Sequence, residues 1–267
     1  MAEENARTSG NEPGPQTSGE FHAHVADHLP SAIRERLDAG AQHSYLKDFV
    51  YGAIDGAVTT FAVVSGVAGA GLSPGIVIVL GAANLVGDGF SMAAGNYLGT
   101  RAEEQLRAKA RRTEESHIAH HPEGEREEVR QIFLAKGFEG DDLERIVEVI
   151  TSDQQQWVDT MLREEHHLPL SGPSAIRAAT TTFVAFFLIG LLPLLSFIAE
   201  FVAPGSVGSP FLVSTVLTGA AFFAVGAGKG RLVSEHWAWA GVETLAVGGA
   251  AAGLAYLVGL LLKSVVA

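Results

Sequence analysis

The sequence predicts an all-α, polytopic membrane protein with five transmembrane helices and a three-helix insert in the cytoplasm. Five nearly uncharged runs are each about 20 residues long, the length that a helix needs to cross a bilayer. The strands of a membrane β-barrel would be about half as long and would alternate in polarity. The runs are 49–70, 75–98, 178–199, 210–228 and 244–262.

The distribution of Lys and Arg predicts the orientation of these helices. Of the 18 Lys and Arg residues, all but Lys263 fall before the first run, within 101–177 or at Lys229 and Arg231. Membrane-flanking loops rich in Lys and Arg stay in the cytoplasm, so the N-terminus and the insert are predicted to lie there. The connections between the first two and the next two runs contain no basic residue and are predicted to lie outside. An odd number of helices then places the C-terminus outside as well.

On this interpretation the chain has four segments. Residues 1–45 are a polar, partly disordered N-terminal segment, and residues 46–100 contain the first two transmembrane helices. Residues 101–170 form the insert, and residues 171–267 contain the last three transmembrane helices. The first segment lacks a basic stretch followed by an apolar core, so we do not expect a signal peptide.

Three histidines lie in the N-terminal segment, where Phe21–Leu37 has the pattern of a short amphipathic helix. They are His22, His24 and His28. Histidine-rich stretches can bind metal, but a surface segment is the favoured interpretation. Their role stays open at this point.

Two acidic residues lie inside the first two membrane runs. Asp55 is in the first run and Asp88 in the second, and a carboxylate at membrane depth usually marks an ion or proton pathway. Asn84, Asp88 and Met92 recur every four residues, so they share one helix face. Amide, carboxylate and thioether groups together predict a track for a transition metal. The alternative for Met92 is simple packing.

The insert is rich in charge and is predicted to be helical. It contains 17 acidic residues, 10 basic residues and five histidines. The second membrane helix has no breaker before Pro122 and is predicted to continue out of the membrane to that point. A helix over 124–136 follows, closed by Gly137. A third helix is predicted from Asp141 or Asp142, as its cap, to about His167.

Each of these three helices carries a pair of metal-binding residue types at helical spacing. Groups three or four positions apart lie on one helix face, so the pairs can converge on one cluster. The pairs are Glu114 with His117, Glu125 with Glu128, and Met161 with Glu165. From spacing alone, a solvated acidic surface is an equal alternative.

Two stretches of the chain, DGAVTTFAVVSG and ANLVGDGFSMAAGNYLGTRAE, resemble the vacuolar iron transporter family, which includes the nodulin-21-like proteins. The similarity extends over nearly all of the chain from Lys47 onward. The resemblance implies a dimeric antiporter of divalent metal ions and protons, with five membrane helices and a cytoplasmic metal-binding domain. It implies a location in a vacuolar or bacterial inner membrane.

The resemblance also implies which residues bind metal. Five ligand positions of the family's insert fall on Glu114, Glu125, Glu128, Met161 and Glu165. One further acidic position of the family falls on His117, and imidazole suits iron, zinc and nickel better than magnesium or calcium. In the membrane, Asn84 stands where the family often has a glutamate, with Asp88 one turn later. Which of these two takes the second acidic role in the path stays open.

We therefore expect a homodimeric exporter that moves Fe²⁺ out of the cytoplasm in exchange for protons, with Mn²⁺, Zn²⁺, Co²⁺ and Ni²⁺ as further cargo. No enzyme activity, permanently bound cofactor or nucleic-acid partner is expected. One alternative is a membrane-anchored di-iron carboxylate oxidase, because Glu114/His117 and Glu164/His167 both form Glu-x-x-His. Another is a metal sensor, which would not need acids within the membrane.

Overall fold

A computed structural model describes residues 28–39 and 43–266, and within these ranges the regular structure is helical, with no strand. One helix, α1, spans Pro30–Ala39 in a separate N-terminal unit that ends at His43. Of the N-terminal histidines, His22 and His24 lie outside the described residues. The second unit contains α2 (Leu46–Ala70), α3 (Pro74–His120), α4 (Pro122–Ala135), α5 (Gly140–Thr151), α6 (Gln154–Glu164), α7 (Ala175–Val202), α8 (Pro210–Leu232) and α9 (Trp237–Val266).

Five of these helices, α2, α3, α7, α8 and α9, are long and apolar enough to cross a membrane, which confirms the predicted fold class. Helix α2 lies at the centre of this bundle and contacts the other four membrane helices. Glycine makes the closest approach possible: a Cβ added to Gly56 would lie 2.3 Å from the carbonyl oxygen of Phe186 on α7. Asp55, next to Gly56, therefore lies where the backbones of α2 and α7 pack directly against each other.

Helix α3 extends far beyond the membrane. It is one continuous helix of 47 residues, as the missing breaker predicts. Its length of about 70 Å is more than twice the thickness of the hydrocarbon core of a bilayer, about 30 Å. Pro122 then occupies the first turn of α4, a position where the missing N–H of proline is tolerated. The long helix thus connects the membrane bundle directly to the insert.

Helices α4, α5 and α6 pack with the outer part of α3 around a hydrophobic core of their own. The buried core residues include Ile118, Val129, Val147, Trp157 and Met161. Gly137 has a φ of +93° just after α4, which confirms the predicted glycine stop. The insert therefore has its own hydrophobic core, which positions side chains from several helices close together.

The third predicted helix of the insert differs from the structure. The region expected to be one helix to about His167 is divided into α5 and α6. Asp153 causes the break, because its Oδ1 accepts a hydrogen bond of 2.8 Å from the backbone N–H of Gln156 and caps α6. The predicted caps were also wrong: Asp141 and Asp142 lie in the first turn of α5, after Glu139 at the N-cap position. The break allows α6 to turn back onto α3.

Candidate metal centre

Glu114 lies at the centre of a buried polar cluster in the insert. Its side chain projects from α3 and only 1% of the residue is exposed. Oε1 of Glu114 accepts a hydrogen bond of 2.9 Å from the Nε2–H of His166. The other oxygen, Oε2, is buried without a hydrogen-bond partner among the described residues. A buried carboxylate oxygen without a partner is costly, so this atom is placed to accept a ligand.

Glu125 and His117 complete one side of the cluster. Glu125, at the start of α4, is 5% exposed, and its Oε2 is a second buried oxygen without a hydrogen-bond partner in the described part of the chain. His117 Nδ1 lies 3.2 Å from Glu125 Oε1 and 4.0 Å from Glu114 Oε1. One ligand atom from each of the three residues lies within 4.8 Å of the others. This spacing is compatible with a single metal ion.

The other side of the cluster consists of Glu165 and His166 with the same Glu114. Ligand atoms of these three residues also lie within 4.8 Å of one another. His166 Nε2 lies 3.8 Å from Glu165 Oε2. Glu114 thus belongs to two overlapping groups, each with two carboxylates and one imidazole. Carboxylate and imidazole together form a donor set that suits divalent transition metals.

His166 was not among the site residues predicted from the sequence, although its neighbour Glu165 was. Helical spacing would place it on a different face from Glu165. The chain instead leaves the helix here: Glu165 is the C-cap of α6, and His167 has a φ of +53°. The backbone N–H of His166 donates to the carbonyl of Met161 at 3.2 Å, which directs the imidazole toward Glu114. A histidine just after a predicted ligand, at a helix end, was the available signal.

Burial and charge repulsion raise the pKa values of two carboxylates in this cluster. The pKa of Glu125 rises from 4.5 to about 7, mainly because of burial and then because of repulsion by Glu128 and Glu114. The pKa of Glu165 is raised by burial and by the same two carboxylates. The pKa of His166 is raised by its hydrogen bond to Glu114. The metal-free cluster therefore holds protons near neutral pH, and a divalent cation would compete with them.

The remaining two predicted ligands of the insert occupy different environments. Glu128 is exposed on α4, close enough to repel Glu125 and Glu165 electrostatically. Met161 is fully buried and packs in the hydrophobic core of the insert. Its backbone carbonyl accepts hydrogen bonds from Glu165 and His166. Metal binding by Glu128 and Met161 remains a prediction.

In the membrane, the predicted path residues are less closely gathered. Asp55 is half-buried on α2, and Asp88, on the exposed side of α3, is its charged neighbour. The side-chain amide of Asn84 donates to Thr59 Oγ1 at 3.1 Å, and Thr59 Oγ1 donates to the backbone carbonyl of Asp55 at 2.9 Å. Asn84 therefore connects α3 to α2 beside Asp55. Its place in the path, like that of Asp88, remains a prediction.

Met92 is half-buried and packs against the hydrophobic core of the membrane bundle. It also lines a cavity of about 400 Å³ together with Asp48 and Asn96. The amide of Asn96 donates to Asp48 Oδ1 and to Thr182 Oγ1, both at 2.7 Å. This polar group joins α2, α3 and α7, and it was not predicted from the sequence because its members are far apart in the chain. Met92 thus lies between the apolar core and a cavity that Asp48 and Asn96 also line.

The second Glu-x-x-His motif does not contribute to the cluster. Glu164 forms an ion pair with Lys136 at 2.5 Å. Within the described residues, the two groups that bring three potential ligands together contain His166 and not His167. Only one of the two motifs expected for a di-iron site is therefore present at the cluster, which disfavours the oxidase alternative.

Five membrane helices with a buried cluster of carboxylates and imidazoles define an integral membrane protein equipped to handle metal ions. The model of the VIT family matches residues 46–260, and the chain belongs to this family. It is 34% identical over 228 residues to a vacuolar iron transporter of Toxoplasma gondii, covering 83% of this chain and 76% of the relative.

Two further relatives have the same description. Vacuolar iron transporter 1 of Arabidopsis thaliana is 31% identical, covering 79% of this chain and 83% of the relative. The vacuolar iron transporter of Plasmodium berghei is 28% identical, covering 93% of this chain and 92% of the relative. The resemblance identified from the two motifs is thus confirmed, and iron or metal transport across a membrane is the function that the comparisons support.

Proposed function

We propose that this protein exports divalent transition metals, with Fe²⁺ as the principal cargo, from the cytoplasm in exchange for protons. The observation that carries the proposal is a pair of buried oxygens beside two imidazoles, Oε2 of Glu114 and Oε2 of Glu125, which have no hydrogen-bond partner among the residues that the structure describes. Unpartnered buried oxygens of this kind favour a bound cation. The iron named for the relatives gives the chemical class of that cation.

In this proposal the insert collects metal. Its ligands are the six predicted residues, Glu114, His117, Glu125, Glu128, Met161 and Glu165, to which His166 is added. The Lys and Arg distribution supports a cytoplasmic insert. Imidazoles on both sides of Glu114 favour iron, zinc, cobalt and nickel over magnesium and calcium. Manganese is expected to bind more weakly than these metals.

Movement across the membrane is assigned to Asp55, together with Met92 and Asp88. A carboxylate must be ionised to bind a metal ion well, so protonation of Asp55 from the outer side weakens binding and releases the metal. Each transport cycle thereby couples outward metal movement to inward proton movement. Asn84 has no charge to exchange, and its hydrogen bond to Thr59 supports a role in positioning α3 against Asp55.

We infer that the path is completed by a second copy of the chain. Asp88 is exposed on the membrane part of α3, and a carboxylate facing lipid is costly. Gly87 and Gly95 on the same helix have open space around them, and small residues allow another helix to approach closely. A homodimer through α3 would remove Asp88 from lipid. The membrane is predicted to be vacuolar or a bacterial inner membrane.

The test is a flux assay with the purified full-length protein in proteoliposomes. With the outer side of the protein at lower pH, Fe²⁺ taken up at the insert side should be released against its gradient, with proton movement in the opposite direction. Proton flux is followed with a pH-sensitive dye and iron flux with a chelating dye. Iron flux that is unaffected by collapse of the pH gradient would contradict the antiport mechanism.

A further inference from the structure

A second site lies away from the metal cluster, where the membrane helices meet the insert. A cavity of about 610 Å³ is bounded by α3, by the connection 169–174 and by the first residues of α7. Arg111 and Leu162 of the insert also contribute to its wall. The cavity is therefore shared between the two functional parts of the chain.

The cavity is located at the membrane surface. Tyr97, on its wall, lies about 35 Å along α3 from Pro74, slightly more than the thickness of the hydrocarbon core. Helix α7 begins at Ala175, also on the wall. Tyr97 is 39% exposed and Ile176 is 64% exposed. Tyrosine is enriched at membrane–water interfaces, and the exposed isoleucine provides apolar surface beside the polar wall.

The charge of this cavity comes from three arginines on one face of α3. Arg101 is paired with Glu104 at 2.6 Å, and Arg111 is paired with Asp159. Arg107 is half-buried and takes part in none of the ion pairs found among residues 28–39 and 43–266. A half-buried guanidinium has five N–H donors and a full positive charge. It is thus the group in this cavity that lacks an anion.

The guanidinium of Arg107 packs closely against Gly172. A Cβ added to Gly172 would lie 2.1 Å from Nη2 of Arg107, so the side chain rests directly against the glycine backbone. Any larger residue at this position would displace the guanidinium. The connection between α6 and α7 thus leaves room for Arg107 at the cavity wall.

We propose that the cavity binds the phosphate of an anionic phospholipid headgroup, with Arg107 as the principal ligand. The planar guanidinium matches phosphate geometry, and basic pockets beside membrane helices bind anionic headgroups. A lipid is favoured over free phosphate because the exposed, apolar Ile176 of α7 borders the site at membrane level. The bound headgroup joins the insert to the membrane bundle beside the middle of α3, where the cavity lies.

The test uses purified full-length protein and native mass spectrometry with phosphatidylglycerol and phosphatidylcholine. Wild-type protein should retain phosphatidylglycerol in preference to phosphatidylcholine. Arg107→Gln should weaken phosphatidylglycerol binding about tenfold, the loss expected for one charge-assisted contact. The control is Arg112→Gln, which changes an exposed arginine that does not line the cavity and should bind as wild type. Equal loss in both variants would show only general surface charge and overturn the proposal.

Two further measurements separate the possible outcomes. Gly172→Ala, which keeps every charge, should also weaken phosphatidylglycerol binding because the added methyl group displaces Arg107. Retention of wild-type binding in this variant and in Arg107→Gln, with thermal unfolding unchanged, would overturn the assignment. Inorganic phosphate at millimolar concentration should not displace the lipid; displacement would identify a free-phosphate site instead. None of these results depends on metal transport.

Discussion

The metal cluster of the insert and the acidic path in the membrane are built differently. In the insert, Glu114 and Glu125 are almost completely buried, and each has an oxygen without a hydrogen-bond partner in the described part of the chain. In the membrane, Asp55 is only half-buried and Asp88 is exposed. The candidate ligands of the insert come from α3, from α4 and from the end of α6 in one chain, whereas one of the two acids of the predicted path is exposed within a single chain.

In the proposed mechanism, this difference separates the collection of metal from its movement across the membrane. A site with several ligands from one chain can hold a cation against water. A path must bind more weakly, because a tightly held ion would not be released on the other side. Few ligands and access to a second subunit suit that requirement. The insert is therefore expected to determine affinity, and Asp55 is expected to determine whether flux occurs at all.

The largest expected effect is that of Asp55→Asn, which keeps the size of the side chain and removes its titratable charge. Proton-driven metal flux in proteoliposomes should fall to background, because an amide cannot exchange a proton for a metal ion. The matched control is Glu243→Gln, an exposed carboxylate on α9 that pairs with Lys229. Normal pH-driven flux in Asp55→Asn would contradict the assignment of the membrane path to Asp55.

The next effect concerns Glu114, the residue shared by both ligand groups of the insert. Glu114→Gln should weaken metal binding by at least about a hundredfold, at the upper end of losses caused by changes around metal sites. Calorimetry with the full-length chain carrying Asp55→Asn isolates the insert from the membrane path. The single variant Glu114→Gln, which keeps the native Asp55, should still transport metal, but only at higher metal concentration. Loss of all transport at saturating metal would show that the insert is part of the path.

The pH dependence of the insert follows from Glu125. A rise of its pKa from 4.5 to about 7 means that folding favours the protonated form of Glu125. That stabilisation is complete below pH 4.5 and is lost as pH rises through about 7. As pH rises from 5 to 8, the metal-free insert should lose stability. The stability gained on adding Mn²⁺ or Zn²⁺ should increase over the same range.

Thermal unfolding of the full-length chain, measured with and without metal, checks this expectation. Glu125→Gln should reduce the pH dependence of the metal-free protein, because the amide does not titrate. The raised pKa of His166 acts in the same direction, since its stabilisation is present below pH 6.5 and lost above. A metal-induced gain that is the same at pH 5 and pH 8 would contradict proton competition at this cluster.

A smaller effect is expected for His166→Gln. Loss of one of several ligands should weaken binding of Zn²⁺, Co²⁺ and Ni²⁺ about tenfold, and binding of Mn²⁺ less, because imidazole favours the former. The adjacent His167→Gln is the matched control, since His167 is outside both ligand groups of the described chain. Calorimetry in the Asp55→Asn background measures each metal. Equal losses from the two variants would remove His166 from the ligand set.

The smallest effect is expected for Met92→Leu, which nearly conserves volume at a packed position. Stability should change by less than about 1.5 kcal/mol. If the thioether binds metal, flux of Fe²⁺ and other softer metals should fall more than flux of Mn²⁺. Parallel flux of all metals in wild type and variant would make Met92 a packing residue only, in agreement with its contacts in the membrane core.

Much of this architecture could be predicted from the sequence because it depends on local patterns. Uninterrupted apolar runs predict membrane helices, since lipid cannot satisfy an unpaired backbone. The continuous helix from Pro74 to His120 follows from the lack of a breaker before Pro122. The pairing of Glu114 with His117 follows from helical spacing. Each of these features is set by residues close together in the chain.

Only the tertiary structure decided which of these residues meet. The capping hydrogen bond of Asp153 divides a region that looks like one helix, and the turn after α6 brings His166 onto Glu114, 52 positions earlier. Burial of Glu125, and thus its raised pKa, depends on the packing of three other helices around it. The same packing encloses Met161 in the core. Distant parts of a chain are brought together by the sum of many weak contacts, so local residue spacing predicted the ligand types but not the complete cluster.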